Sequence, residues 1–448
     1  MQTVGLSMIV KNGAATLRPC LESVRHVVQQ IVIGDTGSTD ATCEIAKEFG
    51  VSIIQVPWEN HFAHARNAPL KVMTTDWVLA LDADEELDED AIKHLPKLLE
   101  RADVGGYVTP IRNYVPSRYT RAWDRLAVPN DHRHLRAKDA PAFVVHENCR
   151  LFRRQDDIYF TGRVHEAIEG QIKAAGLKLV DAPFHIHHFG QLSTPDRKEE
   201  KAKFYRELLR LKAQERTTDA LAWMQLGLHE FEFFGNAEEA LTCLDRALVL
   251  EPKASDAWIF KGMVLLDLGR PQEALASFQN ARSDGRGKIL REQFRGDALS
   301  ALQQWEEARS AYRQALQLSS DPIVESKLGL TEVRLGHKDA GLTKLKRAAD
   351  AAPGVIEVHD RLFKAYVLSD MLPEAADASE RFLQMVAHPK LFLRTASVCA
   401  QMKQWDRVID ILARGLEMFP NSAELLRARA EVDAMKASPE GAQAASVR

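Results

Sequence analysis

The segment Asp76-Trp-Val-Leu-Ala-Leu-Asp82-Ala-Asp84-Glu-Glu-Leu87 sets the class of this fold. Its apolar run, Trp77 to Leu81, is short and has no polar alternation, so it predicts a strand buried on both faces, as in parallel sheets. The strand runs directly into carboxylates at i and i+2, and side chains two apart on a strand share a face. Asp82 and Asp84 are therefore expected to point together into the crevice beyond the carboxyl ends of the strands, where open α/β sheets bind ligands. Hard oxygen donors so placed suit a divalent cation, Mg²⁺ or Mn²⁺, held jointly with phosphate oxygens. The acidic run through Glu89 and Asp90 reads differently: it begins a helix, where negative charge meets the positive end of the dipole.

Working outward, Val4-Gly-Leu-Ser-Met-Ile-Val10, Ile31-Val-Ile33 and Ser52-Ile-Ile-Gln-Val56 are further strand-like runs. Helical patterns separate them, the first through Leu17, Leu21 and Val24, the next around Ile45 and Phe49. Strands alternating with helices predict βαβ units and a mostly parallel sheet over residues 1–190. No GxGxxG follows the first strand, and there is no P-loop or GxSxG elbow, which disfavours dehydrogenases, P-loop kinases and hydrolases of those classes.

Beyond about residue 217 the strand-like runs stop and a helical pattern recurs. Gly262, Ala274 and Ala281 form one set of small residues, Gly296, Ala308 and Ala315 the next, and Gly329, Gly341 and Ala348 a third. The glycines are spaced by 34 and 33 residues, the tetratricopeptide period. Larger knobs, Phe278, Tyr312, Leu345 and Leu412, recur between the small positions, which let antiparallel helices approach. The pattern predicts about six helical hairpins plus a capping helix over 217–437, a linker helix over 191–216 starting near Pro195, and a disordered tail over 438–448.

The chain of 448 residues is long enough for two domains, and 45% apolar with 27% charged residues is ordinary for a soluble globular protein. A net charge of -4 gives no general drive toward nucleic acid or anionic membrane. Five scattered cysteines without a CxxC pair suit a reducing compartment, and no apolar run is long enough to span a bilayer, so the expected location is cytoplasmic.

Four motifs in order resemble the inverting glycosyltransferases of family 2, which have the GT-A fold: Met8-Ile-Val-Lys11-Asn12, Gly34-Asp35-Thr-Gly-Ser38-Thr-Asp40, the segment ending in Arg66-Asn67, and Leu81-Asp82-Ala-Asp84-Glu85. A branch of that family carries tetratricopeptide units after its catalytic domain. The resemblance implies a nucleotide-diphosphate sugar as donor, with Lys11, Asn12, Asp35, Ser38, Asp40, Arg66 and Asn67 near the nucleotide and Asp82 and Asp84 at the metal and diphosphate. One departure is Gly13, where the branch usually has glutamate.

Arg150-Leu-Phe-Arg153 and Tyr159-Phe-Thr-Gly-Arg163-Val-His165-Glu166 resemble the branch's acceptor side. An inverting transfer needs a base beside the acceptor nucleophile. Glu166 is the candidate and Glu147 its rival; either is alternatively an ion-pair partner of an arginine. In Phe184-His-Ile-His187-His188-Phe-Gly190 the resemblance suggests that His188 approaches the metal or diphosphate, the other reading being a hydrogen-bonded junction histidine. Residues 112–138 hold Arg112, Arg118, Arg121, Arg125, Arg133, Arg136 and Lys138 among Tyr114, Tyr119 and Trp123, and read as a lid over the diphosphate or a solvated loop rather than a nucleic-acid surface. The expected acceptor is a protein, peptide or cell-envelope glycan, with the repeats recruiting a protein acceptor or organising a homodimer. The competing class is an inactive scaffold that binds partners through its repeats.

Overall fold

The computed structural model describes residues 2–116, 121–122, 125–192, 195–283, 285–384 and 386–437, in two compact units, Met1–Phe234 and Gly235–Arg448. Strands of the first unit are β1 (Val4–Val10), β2 (Gln30–Asp35), β3 (Ser52–Gln55), β4 (Trp77–Ala80), β5 (Glu85–Leu87), β6 (Val104–Val115), the short β7 (Arg121–Ala122), β8 (Arg125–Leu126) and β9 (Val128–Pro129), then β10 (Ala142–Arg153), β11 (Lys178–Asp181) and β12 (Ile186–His188). Its helices are α1 (Ala14–Val24), α2 (Thr42–Glu48), α3 (Phe62–Leu70), α4 (Ala91–Leu99), α5 (Glu169–Ala174), α6 (Pro195–Glu215) and α7 (Ala220–Phe234).

The main sheet runs β3-β2-β1-β4-β10-β6-β12-β5, with β11 also on β6 and β9 on β10. β3, β2, β1 and β4 are parallel, as their apolar runs predict. The other half turns on an antiparallel pair, β6 and β10, each 12 residues long. Neither was expected, because Gly105, Gly106 and Pro110 interrupt β6, and His146-Glu147-Asn148 interrupts β10, so no apolar run announces them. The sheet is therefore mixed, and Arg112 and Tyr114 of the expected basic loop lie within β6.

Both faces of the sheet are buried. On one, Leu6, Met8, Leu79 and Tyr107 pack with Leu17 and Leu21 of α1 and Leu95 and Leu99 of α4. On the other, Val32, Val78, Ala80 and Phe152 pack with Ala63 of α3 and Ile172 of α5. Each fully buried Leu or Phe contributes roughly 1.5–3 kcal/mol, which holds the strand ends in place beneath the site. α6 and α7 also pack into this unit, where the sequence pattern set a linker and the first helix of the repeats.

The second unit is helical: α8 (Ala237–Leu250), α9 (Ser255–Asp267), α10 (Pro271–Asn280), α11 (Gly285–Ala301), α12 (Trp305–Leu316), α13 (Pro322–Arg334), α14 (Lys338–Ala351), α15 (Ile356–Leu368), α16 (Leu372–Leu383), α17 (Pro389–Gln401), α18 (Trp405–Met418) and α19 (Ala423–Ala437). The small positions do the work their spacing implies. Gly262 faces the Phe278 ring, Gly296 the Tyr312 ring and Gly329 the Leu345 side chain. At α13–α14 the approach is closest: a Cβ on Gly341 would lie 2.6 Å from the Gly329 carbonyl oxygen, a backbone atom that cannot step aside. The tail from 438 lies outside the described residues.

Gly341→Val should therefore force α13 and α14 apart and destabilise the repeats by about 1–3 kcal/mol. The check is the urea midpoint of the repeat transition followed by circular dichroism. An unchanged midpoint would show that the close approach is not required.

Candidate active site

The turn between β4 and β5 carries the acidic motif. β4 ends at Ala80, Leu81 N donates to Ser7 O at 3.3 Å, and Glu85 N closes a turn onto Asp82 O at 3.0 Å. Asp82 and Asp84 thus sit on a turn beyond the strand, not on the strand itself, because both neighbours of β4 have stopped pairing with it there.

Four elements meet at this turn. Arg66 of α3 donates from Nη2 to Asp82 Oδ1 at 2.7 Å and from Nε to Glu166 Oε1 at 2.5 Å. Arg150 of β10 donates to Glu85 Oε1 at 2.7 Å and to Asp82 Oδ2 at 3.3 Å. Glu85 Oε2 accepts from Asp82 N at 2.9 Å. Burial opposes the charges of Arg66, Asp82, Glu85 and Arg150. For Asp82 the two guanidiniums outweigh it and hold the carboxyl far below its ordinary range. For Arg66 the carboxylates of Asp82 and Glu166 more than offset burial and raise its pKa. Glu85 goes the other way: burial and the neighbouring Asp82 push its carboxyl up despite Arg150.

Glu166 is brought in by a small loop. Thr161 and Ala167 exchange backbone hydrogen bonds at 2.9 and 3.0 Å, and His165 between them takes a left-handed conformation with φ 53°. The arginine partner expected as the alternative for Glu166 is thus Arg66, and Arg66 also ties Glu166 to Asp82. Glu147 is exposed on β10, opposite Pro110, and is not among the residues that converge on the turn.

His188 faces the same turn. The β5–β12 ladder sets it opposite Glu85, and its Nε2 lies 3.4 Å from Asp84 Oδ2. Its other nitrogen is fixed by an unpredicted residue, Asn113 of β6. Asn113 Nδ2 donates to the carbonyls of Ile111 and Val144, both at 3.1 Å, so Oδ1 is its acceptor end. That oxygen lies 2.6 Å from His188 Nδ1, which therefore carries a proton, and in the neutral ring the lone pair is on Nε2, toward Asp84. Burial lowers the pKa of His188 but its contact with Asp84 raises it further, and that contact in turn brings Asp84 below its ordinary value against burial. A Cβ on Gly190 would lie 2.6 Å from both Asp84 Oδ2 and His188 Nε2, so glycine keeps this recess open.

Among the described residues no three His, Cys, Asp or Glu side chains converge as a ready-made metal site. The donor set nevertheless fits a divalent cation held partly by phosphate: a carboxylate 36% exposed and an imidazole nitrogen oriented by an outer hydrogen bond, the usual arrangement for a metal-binding histidine. Asp82 is placed differently from the expectation, since both of its oxygens face guanidiniums.

Most of the residues expected on the nucleotide side form a second patch, at the ends of β1 and β2. Asn12 takes a left-handed conformation, φ 53°, which asparagine tolerates; its N–H donates to Ser38 Oγ at 2.9 Å and its Oδ1 accepts from Thr39 N at 2.8 Å. Asp35 is buried at the end of β2 and accepts from Ser38 N at 3.1 Å. Asp40 accepts from Ala14 N and Thr42 N, each at 3.1 Å, so it staples the two loops. Lys11 is exposed. At Gly13 a Cβ would lie 2.7 Å from Val10 Cγ2. Asn67 pairs with Phe160 through both ends of its amide, at 2.9 and 2.8 Å, and so holds the segment leading to Glu166.

The rest of the basic stretch is partly pinned. Arg112 pairs with Asp131 at 2.9 Å, and Arg136 with Glu86. His187 is buried between Tyr114 and Asp88, at 2.8 and 3.0 Å. Arg118, Tyr119 and Trp123 lie outside the described residues, as do the side chains of Arg121 and Arg125. A cavity of about 590 Å³ opens elsewhere, lined by Glu59, His64, Lys71, Arg154 and Tyr159, and of the expected site residues only Asn67 borders it.

Residues 6–159 match the family model described as Glycosyl transferase family 2, and residues 228–287 match Tetratricopeptide repeat. A TPR repeat-containing protein of Synechococcus elongatus is 32% identical over 174 residues, 39% of this chain and 37% of that protein. The SPbeta prophage-derived glycosyltransferase SunS of Bacillus subtilis is 27% identical over 170 residues, 37% of this chain and 34% of its own length. An uncharacterized glycosyltransferase of Rickettsia felis is 33% identical over 90 residues, covering 20% of this chain and 31% of that protein. The chain spans about a third of the length of these curated relatives.

Removing Arg66 would leave Asp82 without its closest guanidinium and Glu166 without its partner. Arg66→Met should cost about 3–5 kcal/mol. Adding Glu166→Gln to that variant should recover part of the loss, because one unpaired charge is gone. Denaturant titrations of the two single variants and the double variant would measure this; strictly additive losses would deny the coupling.

Proposed function

Residues 6–159 are a glycosyl transferase family 2 domain, with tetratricopeptide repeats in the same chain, and from that premise we propose that the chain moves a sugar from a nucleotide-diphosphate donor to an acceptor with inversion at the anomeric carbon. The observation that carries this reading is the convergence of Arg66, Asp82, Arg150, Glu166 and the Asp84–His188 pair on one turn at the carboxyl end of β4.

The roles follow from position. Asp35, Asn12 and Ser38 form the nucleotide rim, joined by hydrogen bonds at the ends of β1 and β2, with exposed Lys11 beside them. Asp84 and His188 would hold Mn²⁺ or Mg²⁺, whose charge favours departure of the diphosphate. Asp82, fixed between Arg66 and Arg150, keeps the turn in shape. Glu166 is the base: it takes the proton of the acceptor nucleophile while that group attacks from the side opposite the leaving diphosphate. The same Arg66 orients Asp82 and Glu166, so the donor and acceptor sides are set by one side chain.

The repeats favour a protein or peptide acceptor over a cell-envelope glycan, since stacked helical hairpins present surfaces that suit polypeptides. No helix of the described residues is long and apolar enough to cross a membrane. We place the chain in the cytoplasm because five scattered, unpaired cysteines suit a reducing compartment.

The test uses thermal stabilisation by a panel of nucleoside diphosphates and nucleotide sugars, with Mn²⁺ or EDTA. Ligand at 100 times its dissociation constant adds about 2.7 kcal/mol. Wild type should be stabilised by one base class in Mn²⁺ and less in EDTA, and Asp84→Ala should lose the metal-dependent part. A folded wild type that responds to no donor would reject the enzyme reading in favour of a partner-binding scaffold.

A further inference from the structure

α6 follows the last strand of the sheet by a few residues, and it lies against the loop that carries Glu166. Arg163 donates from Nε to Glu215 Oε2 at 2.9 Å, and Lys212 Nζ donates to Val164 O at 3.2 Å. Leu208, Leu209 and Ala213 of this helix are buried. Nearer its start, Phe204 packs 5.9 Å from Trp58 and 6.3 Å from Phe62, the first residue of the helix that bears Arg66.

Two side chains on this helix have no other occupation. Tyr205 stands 5.9 Å, ring to ring, from both Phe62 and His165, wedged between the start of α3 and the residue preceding Glu166. Its hydroxyl has no hydrogen-bond partner among the described residues. Lys201, one turn earlier and exposed, holds its ammonium 5.7 Å from the Tyr205 ring and has no carboxylate partner among the described residues. The field at Tyr205 agrees with this placement: burial raises its pKa most, and the charges of Glu166, Asp82 and Asp84 raise it further.

We infer that α6 belongs to the active site, with the Lys201 ammonium and the Tyr205 hydroxyl contacting the diphosphate of the donor. This rests on the nucleotide-sugar reading above. In the transfer, the bond between the anomeric carbon and the diphosphate oxygen breaks and its electron pair stays on that oxygen. The acceptor's lone pair forms the new bond, and its proton passes to Glu166. Lys201 and Tyr205 supply an ammonium and a hydroxyl to the growing charge on the diphosphate. The catalytic unit then ends beyond Glu215 rather than at the end of the sheet.

The experiment compares full-length wild type, Lys201→Gln, Lys201→Arg and Tyr205→Phe by calorimetric titration with the preferred nucleoside, its monophosphate and its diphosphate. Lys201→Gln should weaken the diphosphate about tenfold while leaving the nucleoside within about twofold, and Lys201→Arg should restore most of the loss. Tyr205→Phe should slow release of sugar from the nucleotide sugar about tenfold in kcat with KM little changed. Equal losses for nucleoside and diphosphate, or no loss in any variant of a wild type that binds diphosphate, would overturn the assignment of α6 and leave the family reading intact. A wild type that binds no nucleotide would overturn both.

Discussion

The turn between β4 and β5 depends on two buried guanidiniums. Removing an ion from water in a protein interior costs several kcal/mol, so Arg66 and Arg150 are tolerable only where carboxylates meet them at hydrogen-bond distance. They meet Asp82 from two elements, α3 and β10, and each takes a second carboxylate, Glu166 or Glu85. Neither arginine can leave without exposing a carboxylate to low dielectric, and neither carboxylate of the turn can rotate away. That mutual dependence gives a four-residue bend the rigidity of an element, and a rigid bend is what positioning chemistry needs.

Much of this was legible in the sequence, and the part that was not has a physical pattern. β1 to β4 announce themselves because a strand buried on both faces must be apolar throughout. β6 and β10 do not, since they pair with each other along most of their length. Pairing by backbone hydrogen bonds tolerates Pro110 opposite Glu147 at a place where apolar packing is not required. The acidic motif was visible, but its geometry was not: a two-residue period reads Asp82 and Asp84 as strand neighbours, whereas hydrogen bonding ends β4 at Ala80. Asn67 and Arg66 are adjacent in a motif yet face different tasks, because neighbours on a helix are about 100° apart. Asn113 had only one possible signal, an amide where strand alternation would place a buried residue, and that signal needs the strand to be known first.

In the repeats the sequence pattern and the structure coincide because a single quantity, the distance between helices, is at stake. A glycine on one helix and a ring or Leu on its partner are two halves of one contact, as Gly262 with Phe278 and Gly296 with Tyr312 show. Where both positions are glycine, at 329 and 341, the helices close until backbone meets backbone. The period is thus a record of packing and carries no information on ligands. This is why the repeats indicate a class of partner and not an identity.

The charge balance of the site constrains what can occupy it. Asp82, Glu85 and Glu166 outnumber Arg66 and Arg150, and Asp84 adds to the excess. A diphosphate brought to such a turn is repelled unless positive charge accompanies it or already stands nearby. His188 answers part of this on Asp84, and its ring is locked by Asn113 so that Nε2, not Nδ1, faces the recess kept open by Gly190. A cation shared by Asp84, His188 and phosphate would answer more of it. Beside Glu166 the described side chains outside α6 offer the diphosphate no unengaged cation, since Arg66 already serves Asp82 and Glu166. α6, which lies against the loop that carries Glu166, would add an ammonium there without disturbing the buried pairs, because Lys201 is exposed and stands over the Tyr205 ring rather than in the core.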